Sequence, residues 1–285
     1  MPAIKTVTVL GTGVLGSQIA YQAAFYGFAV TAYDLDDDAL EQARARFAKL
    51  AGIYRAANIA GATDGKAESA LGNLRLTADL ADAVADADLV IEAVPELLEL
   101  KRDLYRKLAE LAPARSIFAT NSSTLLPSDL KESTGRPDRF LAIHYANNIW
   151  AQNIAEVMGT GDTDAQVFDA VVEFARNSGL EPIEIKKEKA GYVLNSLLVP
   201  LLNAAAGLLL QGVASPETID KTWRIATGAP SGPFQIFDVV GLATAYNIAA
   251  SSPDAGSQAF AGYLKEHYID KGKLGVATGE GFYTY

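Results

Sequence analysis

The chain has 285 residues, 49% of them hydrophobic, enough for two domains at roughly 150 residues each. It contains no cysteine, which excludes disulfides, thiolate metal centres and a thiol nucleophile, and no metal site is expected. A formal net charge of −10 argues against general binding to nucleic acid or to an anionic membrane. Met1-Pro2-Ala3-Ile4-Lys5 runs straight into a strand pattern, so the expectation is a cytoplasmic protein without a leader peptide.

The first predicted elements carry the most information. Thr6 to Leu10 is an apolar run, followed by the turn Gly11-Thr12-Gly13-Val14-Leu15-Gly16, a stretch with helical patterning, and a second apolar run closing on Asp34. Strand, glycine turn, helix, strand and acid in this order describe a dinucleotide-binding unit. Gly11 permits the tight turn, Gly13 lets the backbone approach a pyrophosphate, and Gly16 lets the helix pack on the strand. With Val14 and Leu15 they form the turn that presents the helix N-terminus to the phosphates. Asp34 lies eighteen residues past Gly16, near the ~20 expected of the acid that accepts a ribose 2′-hydroxyl. Asp36, Asp37 and Asp38 follow, and no Lys or Arg occurs between Lys5 and Arg44. A 2′-phosphate would meet carboxylates and no cation, so NAD is the expected cofactor. Asp37 and Asp38 are equally explained as the acidic start of a helix.

Ala39 to about Ala60 reads as a long helix, broken at Gly61-Ala62-Thr63-Asp64-Gly65 and resumed before Leu74. This is a helical hairpin inserted in the nucleotide fold. From Arg46 to Thr77 five cations (Arg46, Lys49, Arg55, Lys66, Arg75) stand against two acids (Asp64, Glu68). Such a local excess would draw a polyanionic coenzyme A, and a solvated helix surface explains it equally well. Further strands are expected at 74–77, 89–94, 116–120, 140–144, 155–158 and 182–185, with helices mostly between them. The fold class is therefore α/β: a Rossmann-type doubly wound sheet with the hairpin insertion, followed by an all-helical C-terminal domain. The boundary is placed in Lys186-Lys187-Glu188-Lys189, giving domains at 1–186 and 187–285. Gly191 to Pro216 has no charged residue, but Asn195, Ser196, Pro200, Asn203 and Gln211 interrupt it. A buried helix at the centre of the helical domain is expected there in place of a membrane span.

Ligands of a doubly wound sheet sit outside the carboxyl ends of its strands. Three polar sites fall there. Thr120-Asn121-Ser122-Ser123-Thr124 is a cluster of small hydrogen-bonding groups, His144 closes the run Phe140-Leu141-Ala142-Ile143, and Glu156 sits inside Ile154-Ala155-Glu156-Val157-Met158. A carboxylate in an apolar run is costly unless it has a partner, and a histidine would supply one. Moving a hydride from a carbinol to nicotinamide requires a base for the hydroxyl proton, a task that suits imidazole, with a carboxylate at its far nitrogen. His144 with Glu156 fits that role. On the residues alone, His144 is equally a core histidine satisfied by backbone and Glu156 a buried ion-pair member. His267 reads as part of a solvated helix face.

Over nearly its whole length the chain resembles the L-3-hydroxyacyl-CoA dehydrogenase family. The resemblance rests on the turn at 11–16, Ile91-Glu92-Ala93-Val94-Pro95-Glu96 with Lys101, Ala119-Thr120-Asn121-Ser122-Ser123, His144 with Asn147, and Glu156. It continues through Gly191-Tyr192-Val193-Leu194-Asn195, Leu198-Val199-Pro200, Gly232-Pro233-Phe234 and Thr278-Gly279-Glu280-Gly281-Phe282-Tyr283. It implies that His144 is the catalytic base, that Glu156 orients it, and that Ser123 and Asn195 hydrogen-bond the substrate's oxygens. By residue type alone, Ser123 could cap a helix and Asn195 could bond its own helix. Ala93, Glu96, Lys101 and Asn121 fall on family positions beside the cofactor. The implied reaction is NAD-dependent oxidation of a short L-3-hydroxyacyl-CoA and its reverse, by a homodimer joined through the helical domain. A relative acting on a free hydroxy acid, of the carnitine or gulonate type, and a non-catalytic crystallin-like NAD-binding protein are the alternatives. Two departures stand out: the family's His-Phe-x-Asn-Pro is here His144-Tyr145-Ala146-Asn147-Asn148, with Trp150 close by, and the usual Arg after Asn195 is Ser196.

Overall fold

Strand β1 (Thr6–Leu10) is buried from its second residue to its last, as a parallel strand covered on both faces must be. The structure, a computed structural model, describes residues 3–285. After β1 come α1 (Val14–Phe25), β2 (Ala29–Tyr33), α2 (Asp37–Ala56), α3 (Lys66–Gly72), β3 (Leu74–Thr77), α4 (Leu80–Val84), β4 (Leu89–Glu92) and α5 (Leu98–Leu111). The chain continues through β5 (Ile117–Thr120), α6 (Pro127–Leu130), β6 (Phe140–Tyr145), β7 (Ile154–Gly159), α7 (Ala165–Asn177) and β8 (Glu181–Ile185). The eight strands form one sheet in the order β3-β2-β1-β4-β5-β6-β7-β8. All neighbours are parallel except β6 and β7. From β1 the order runs outward in both directions, which opens a crevice at the carboxyl ends of β1 and β4.

The antiparallel pair decides where the chemistry sits. In its register His144 stands directly opposite Glu156, and side chains so placed are about 5 Å apart at Cβ. Two residues twelve apart in sequence thus meet on one face.

The inserted hairpin is α2 and α3. Asp36 caps α2 by accepting from the Ala39 N–H at 2.8 Å, a contact contributing about 1 kcal/mol. The inner face of α2, including Phe47, Ala51 and Tyr54, is buried, and the Tyr54 ring meets Tyr21 of α1 edge-on at 4.9 Å.

Contacts divide the chain into two compact units, Met1–Val193 and Leu194–Tyr285. The division falls beyond the charged stretch at 186–189 where the sequence places it, because Tyr192 and Val193 are hydrogen-bonded to Ser122 and Glu156 of the first unit. The second unit comprises most of α8 (Tyr192–Leu210), then α9 (Pro216–Thr227), α10 (Pro233–Val240), α11 (Leu242–Ser251) and α12 (Ala255–His267). Its core is Leu202, Ala206, Phe234, Phe237, Phe260 and Leu264 with their neighbours. Its C-terminal segment is fastened by two buried carboxylates: Asp220 accepts from the Tyr283 phenol, and Asp238 from the Phe282 and Tyr283 N–H groups and the Tyr285 phenol. Helix α8 is not the buried central helix its composition predicts. Leu202, Ala205 and Ala206 are buried, but Leu197 is 70% exposed and Val193, Val199, Leu208 and Leu210 are exposed as well.

Candidate active site

The crevice between β1 and β4 is a cleft of about 310 Å³ lined by Gly13, Val14, Leu15, Gly16, Ala93, Val94, Glu96, Lys101, Asn121, Ser123 and Thr124. Two glycines are there by steric necessity. Gly11 adopts φ +90° with its missing Cβ only 2.8 Å from the Ala93 carbonyl oxygen, and a Cβ on Gly16 would fall 1.9 Å from the Gly11 carbonyl oxygen. At Gly13, by contrast, a Cβ would meet nothing within 4 Å, so the backbone faces open space. Gly13 caps α1 without any side-chain hydrogen bond, which leaves the helix N-terminus available to an anion. The donor set, the cradle and the acid at the end of β2 fit a dinucleotide.

Asp34 follows β2 directly. Its Oδ2 accepts from the Thr12 N–H at 2.8 Å and the Thr12 hydroxyl at 2.6 Å, and its Oδ1 from the Leu35 N–H at 2.9 Å. Burial raises its pKa, but these bonds and the nearby Arg46 guanidinium outweigh burial and hold it below the ordinary carboxylate range. Arg46 corrects the expectation of a cation-free acid cluster: from α2 it reaches back to the Thr12 carbonyl at 3.1 Å. The other hairpin cations do not form a cluster. Arg55 pairs with Glu68 and Arg75 with Asp82, and Lys66 lies over the Phe25 and Tyr26 rings.

At the cleft wall lies a network that joins Glu96 and Lys101, both picked out in the sequence, to Glu92, which the sequence reading took only as part of a family motif. Glu92, at the end of β4, is fully buried, and its Oε1 meets the Lys101 Nζ at 2.5 Å. Thr120 Oγ1 donates to its other oxygen at 2.8 Å. Burial pushes the Glu92 carboxyl up while Lys101 and the hydrogen bonds oppose that. Lys101, itself 1% exposed, also lies 3.3 Å from Glu96. Burial acts upward on Glu96 too, but the Ser122 hydroxyl, the Thr124 N–H and the Lys101 charge hold it down, at about 2. A carboxylate and a lysine nine residues apart, one ending a strand and the other opening a helix, were the available signal.

Around the ends of β5 and β6 the remaining polar residues converge. Asn121 Oδ1 accepts from the Tyr145 N–H at 3.1 Å, tying the two strand ends together. Ser123 Oγ lies 3.1 Å from His144 Nε2, and His144 Nδ1 lies 3.0 Å from Glu156 Oε2. Glu156 Oε1 accepts from the Val193 N–H at 2.9 Å. Because a carboxylate only accepts, the His144 proton belongs on Nδ1, leaving the Nε2 lone pair toward Ser123. The Tyr192 ring stacks on the imidazole at 4.4 Å. Of the sequence candidates, Asn195 lies in the second unit on α8 and His267 is exposed on α12.

The loop after β6 explains one departure. Asn148 has φ +61° and donates its N–H to Gln18 Oε1 at 2.8 Å. Proline can do neither, so the family's Asn-Pro geometry is replaced by a bond to α1. The Trp150 indole packs into the core against Tyr54, ring centroids 6.0 Å apart.

A dinucleotide cleft with an imidazole one hydrogen bond from its wall serves the exchange of hydride and proton between alcohol and ketone; this chain is an NAD-dependent oxidoreductase. Residues 6–189 match the NAD-binding domain of 3-hydroxyacyl-CoA dehydrogenase and residues 191–285 its C-terminal domain. The chain belongs to the 3-hydroxyacyl-CoA dehydrogenase family, as its motifs predict. The mitochondrial hydroxyacyl-coenzyme A dehydrogenase of Rattus norvegicus is 35% identical over 292 residues, covering 99% of this chain and 91% of its own. Among solved structures, a diketoreductase described by its substrate-directed dual catalysis of dicarbonyl compounds is 68% identical, covers 100% of both chains and superposes with a TM-score of 0.95. The (S)-3-hydroxybutyryl-CoA dehydrogenase PaaH1 of Ralstonia eutropha is 28% identical over 99% of each chain, with a TM-score of 0.80.

Proposed function

We propose that the enzyme interconverts the 3-hydroxy and 3-keto forms of a substrate bearing a second carbonyl two carbons away, a short 3-hydroxyacyl-CoA being the first such substrate. The hydrogen-bonded line Ser123, His144, Glu156 at the rim of the cleft carries this reading. Bound nicotinamide supplies the hydride acceptor or donor. His144 Nε2 takes the hydroxyl proton during oxidation and returns it during reduction. Ser123 donates to the same substrate oxygen, which its 3.1 Å approach to Nε2 allows. Glu156 holds the tautomer and pairs with the imidazolium when it forms. Asn195 is assigned to the substrate's oxygens on the family resemblance. Glu96, Lys101, Asn121 and Ala93 line the cofactor side.

A second reading has its own support. The 68% identity to a diketoreductase along the full chain favours a dicarbonyl compound without coenzyme A, and the pairing of Arg55 and Arg75 with acids of their own domain weakens the hairpin as a coenzyme A cradle. A dicarbonyl compound with its carbonyls in 1,3 relation would share that unit with acetoacetyl-CoA. Initial rates of NADH oxidation on acetoacetyl-CoA, an acetoacetate ester and a free 3-keto acid decide between them. A higher kcat/KM for acetoacetyl-CoA supports the thioester reading, and a higher value for the ester supports the second. If none is reduced, the 1,3-dicarbonyl reading fails.

Cofactor preference follows from Asp34. NADH should exceed NADPH in kcat/KM, and Asp34→Ser should narrow the gap, more so because Arg46 already stands beside Thr12. Adding Arg46→Ala should reopen it. Equal use of both cofactors by the wild type contradicts the role given to Asp34.

The homodimer is proposed on the apolar surface of the second unit. Leu197 at 70%, Ile248 at 64% and Val239 at 50% are exposed there, beside a groove of about 260 Å³ between α8, α10, α11 and α12. Patches of this kind mark association surfaces. Light scattering should give twice the 30.2 kDa of one chain; a monomer at micromolar concentration refutes the dimer.

A further inference from the structure

Residues 191–193 carry an unusual backbone. Gly191 has φ +80° and Tyr192 φ +51°, a left-handed conformation that is an outlier for a bulky residue and disfavoured by its Cβ. Strain of this kind persists where surrounding contacts over-determine it, and it concentrates at working sites. Each of the three residues fastens a different part of the catalytic line. The Gly191 N–H donates to the Ser123 carbonyl at 3.0 Å, the Tyr192 ring lies on the His144 imidazole, and the Val193 N–H donates to Glu156 Oε1. Three consecutive residues, two of them with positive φ, thus reach Ser123, His144 and Glu156 together.

Within this clasp Tyr192 is held from both ends. It is 1% exposed, packed with Ala142 and Met158, and its phenol donates to the Ser122 carbonyl at 2.8 Å. Burial pushes that phenol well above its ordinary range, so it stays a donor. The ring planes of Tyr192 and His144 lie 10° apart. The Cβ tether and the two in-plane hydrogen bonds, at Nδ1 and Nε2, define the imidazole plane. A flat, immobile ring stacked on one face opposes tilting of the imidazole out of that plane.

We infer that Tyr192 is a positioning residue for His144, holding the imidazole in its plane so that the Nε2 lone pair meets the substrate oxygen. The inference rests on His144 being the proton carrier. Misplacement of a catalytic group by about 1 Å can cost 10²-fold in rate, so Tyr192→Leu should lower kcat by roughly 10- to 100-fold while KM and the NADH Kd change less than about threefold. Tyr192→Phe keeps the ring and should retain kcat within about threefold.

A spectroscopic arm separates positioning from chemistry. The chain has two histidines, so histidine-labelled protein gives two imidazole signals. The stacked ring should shift the His144 C–H protons upfield in the wild type and in Tyr192→Phe, with the shift lost in Tyr192→Leu and the His267 signals unmoved. Wild-type His144 signals without an upfield shift overturn the stack even if the leucine variant fails to fold. Displaced His144 signals with more than half the wild-type kcat in Tyr192→Leu overturn the positioning role. If instead His144→Gln stays active while the ring shift is present, the proton-carrier reading has failed and the stack stands.

Discussion

His144→Gln should lower kcat by a factor of roughly 10²–10⁴, the ordinary worth of a positioned general acid–base, and leave the NADH Kd nearly unchanged. Two observations support the two halves of that expectation. His144 Nε2 faces Ser123 at 3.1 Å, at the point where a substrate oxygen would approach. The imidazole is absent from the lining of the nucleotide cleft itself. Glu156→Gln should act in the same direction with smaller effect, since an amide can still accept at Nδ1 but cannot pair with an imidazolium. Stopped-flow turnover together with a fluorescence titration of NADH separates the two quantities. More than half the wild-type rate in His144→Gln contradicts the assigned chemistry.

The second large effect is on stability. Lys101→Met should destabilise the protein by about 3 kcal/mol, at the low end of the ~3–5 kcal/mol typical of breaking a buried ion pair. Lys101 and Glu92 are 1% and 0% exposed and touch at 2.5 Å. Removing the lysine leaves a buried carboxylate whose burial already pushes it toward the neutral form. Glu92 can therefore take up a proton, which limits the loss. The double change Glu92→Gln with Lys101→Met should recover part of it, because no charge is then left without its partner. Urea unfolding measures all three. A single variant within 1 kcal/mol of the wild type would show that the pair is not what holds the segment from Val94 to Lys101. NADH binding should weaken in parallel, since Val94, Glu96 and Lys101 all line the cleft.

The parts of the site written in local sequence were the legible ones. The glycine turn and the acid at the end of β2 each depend on a few adjacent residues and lie where the pattern predicts; the hairpin break contains 61–65 as expected but begins earlier, because α2 ends at Ala56 and not near Ala60. His144 and Glu156 could be picked out as polar residues at or within apolar runs, but what joins them is the antiparallel register of β6 and β7, a pairing that apolar runs do not encode. Tyr192 was read only as part of a family motif and given no role, because a left-handed tyrosine is dictated by what surrounds it and not by its own propensity. Arg46 was missed for a related reason: it lies twelve residues past Asp34 and returns only because α2 folds back toward the turn. The composition of α8 read as burial, yet an apolar helix in one chain can be waiting for another surface to cover it.

Transfer of label from [4-²H]NADH tests the central claim most directly. With either acetoacetyl-CoA or an acetoacetate ester, the account predicts deuterium on C3 of the product carbinol for one of the two C4-labelled epimers. The rate of that transfer should collapse in His144→Gln. NADH oxidation without deuterium at C3 from either epimer, or transfer that proceeds undiminished in the glutamine variant, would contradict it.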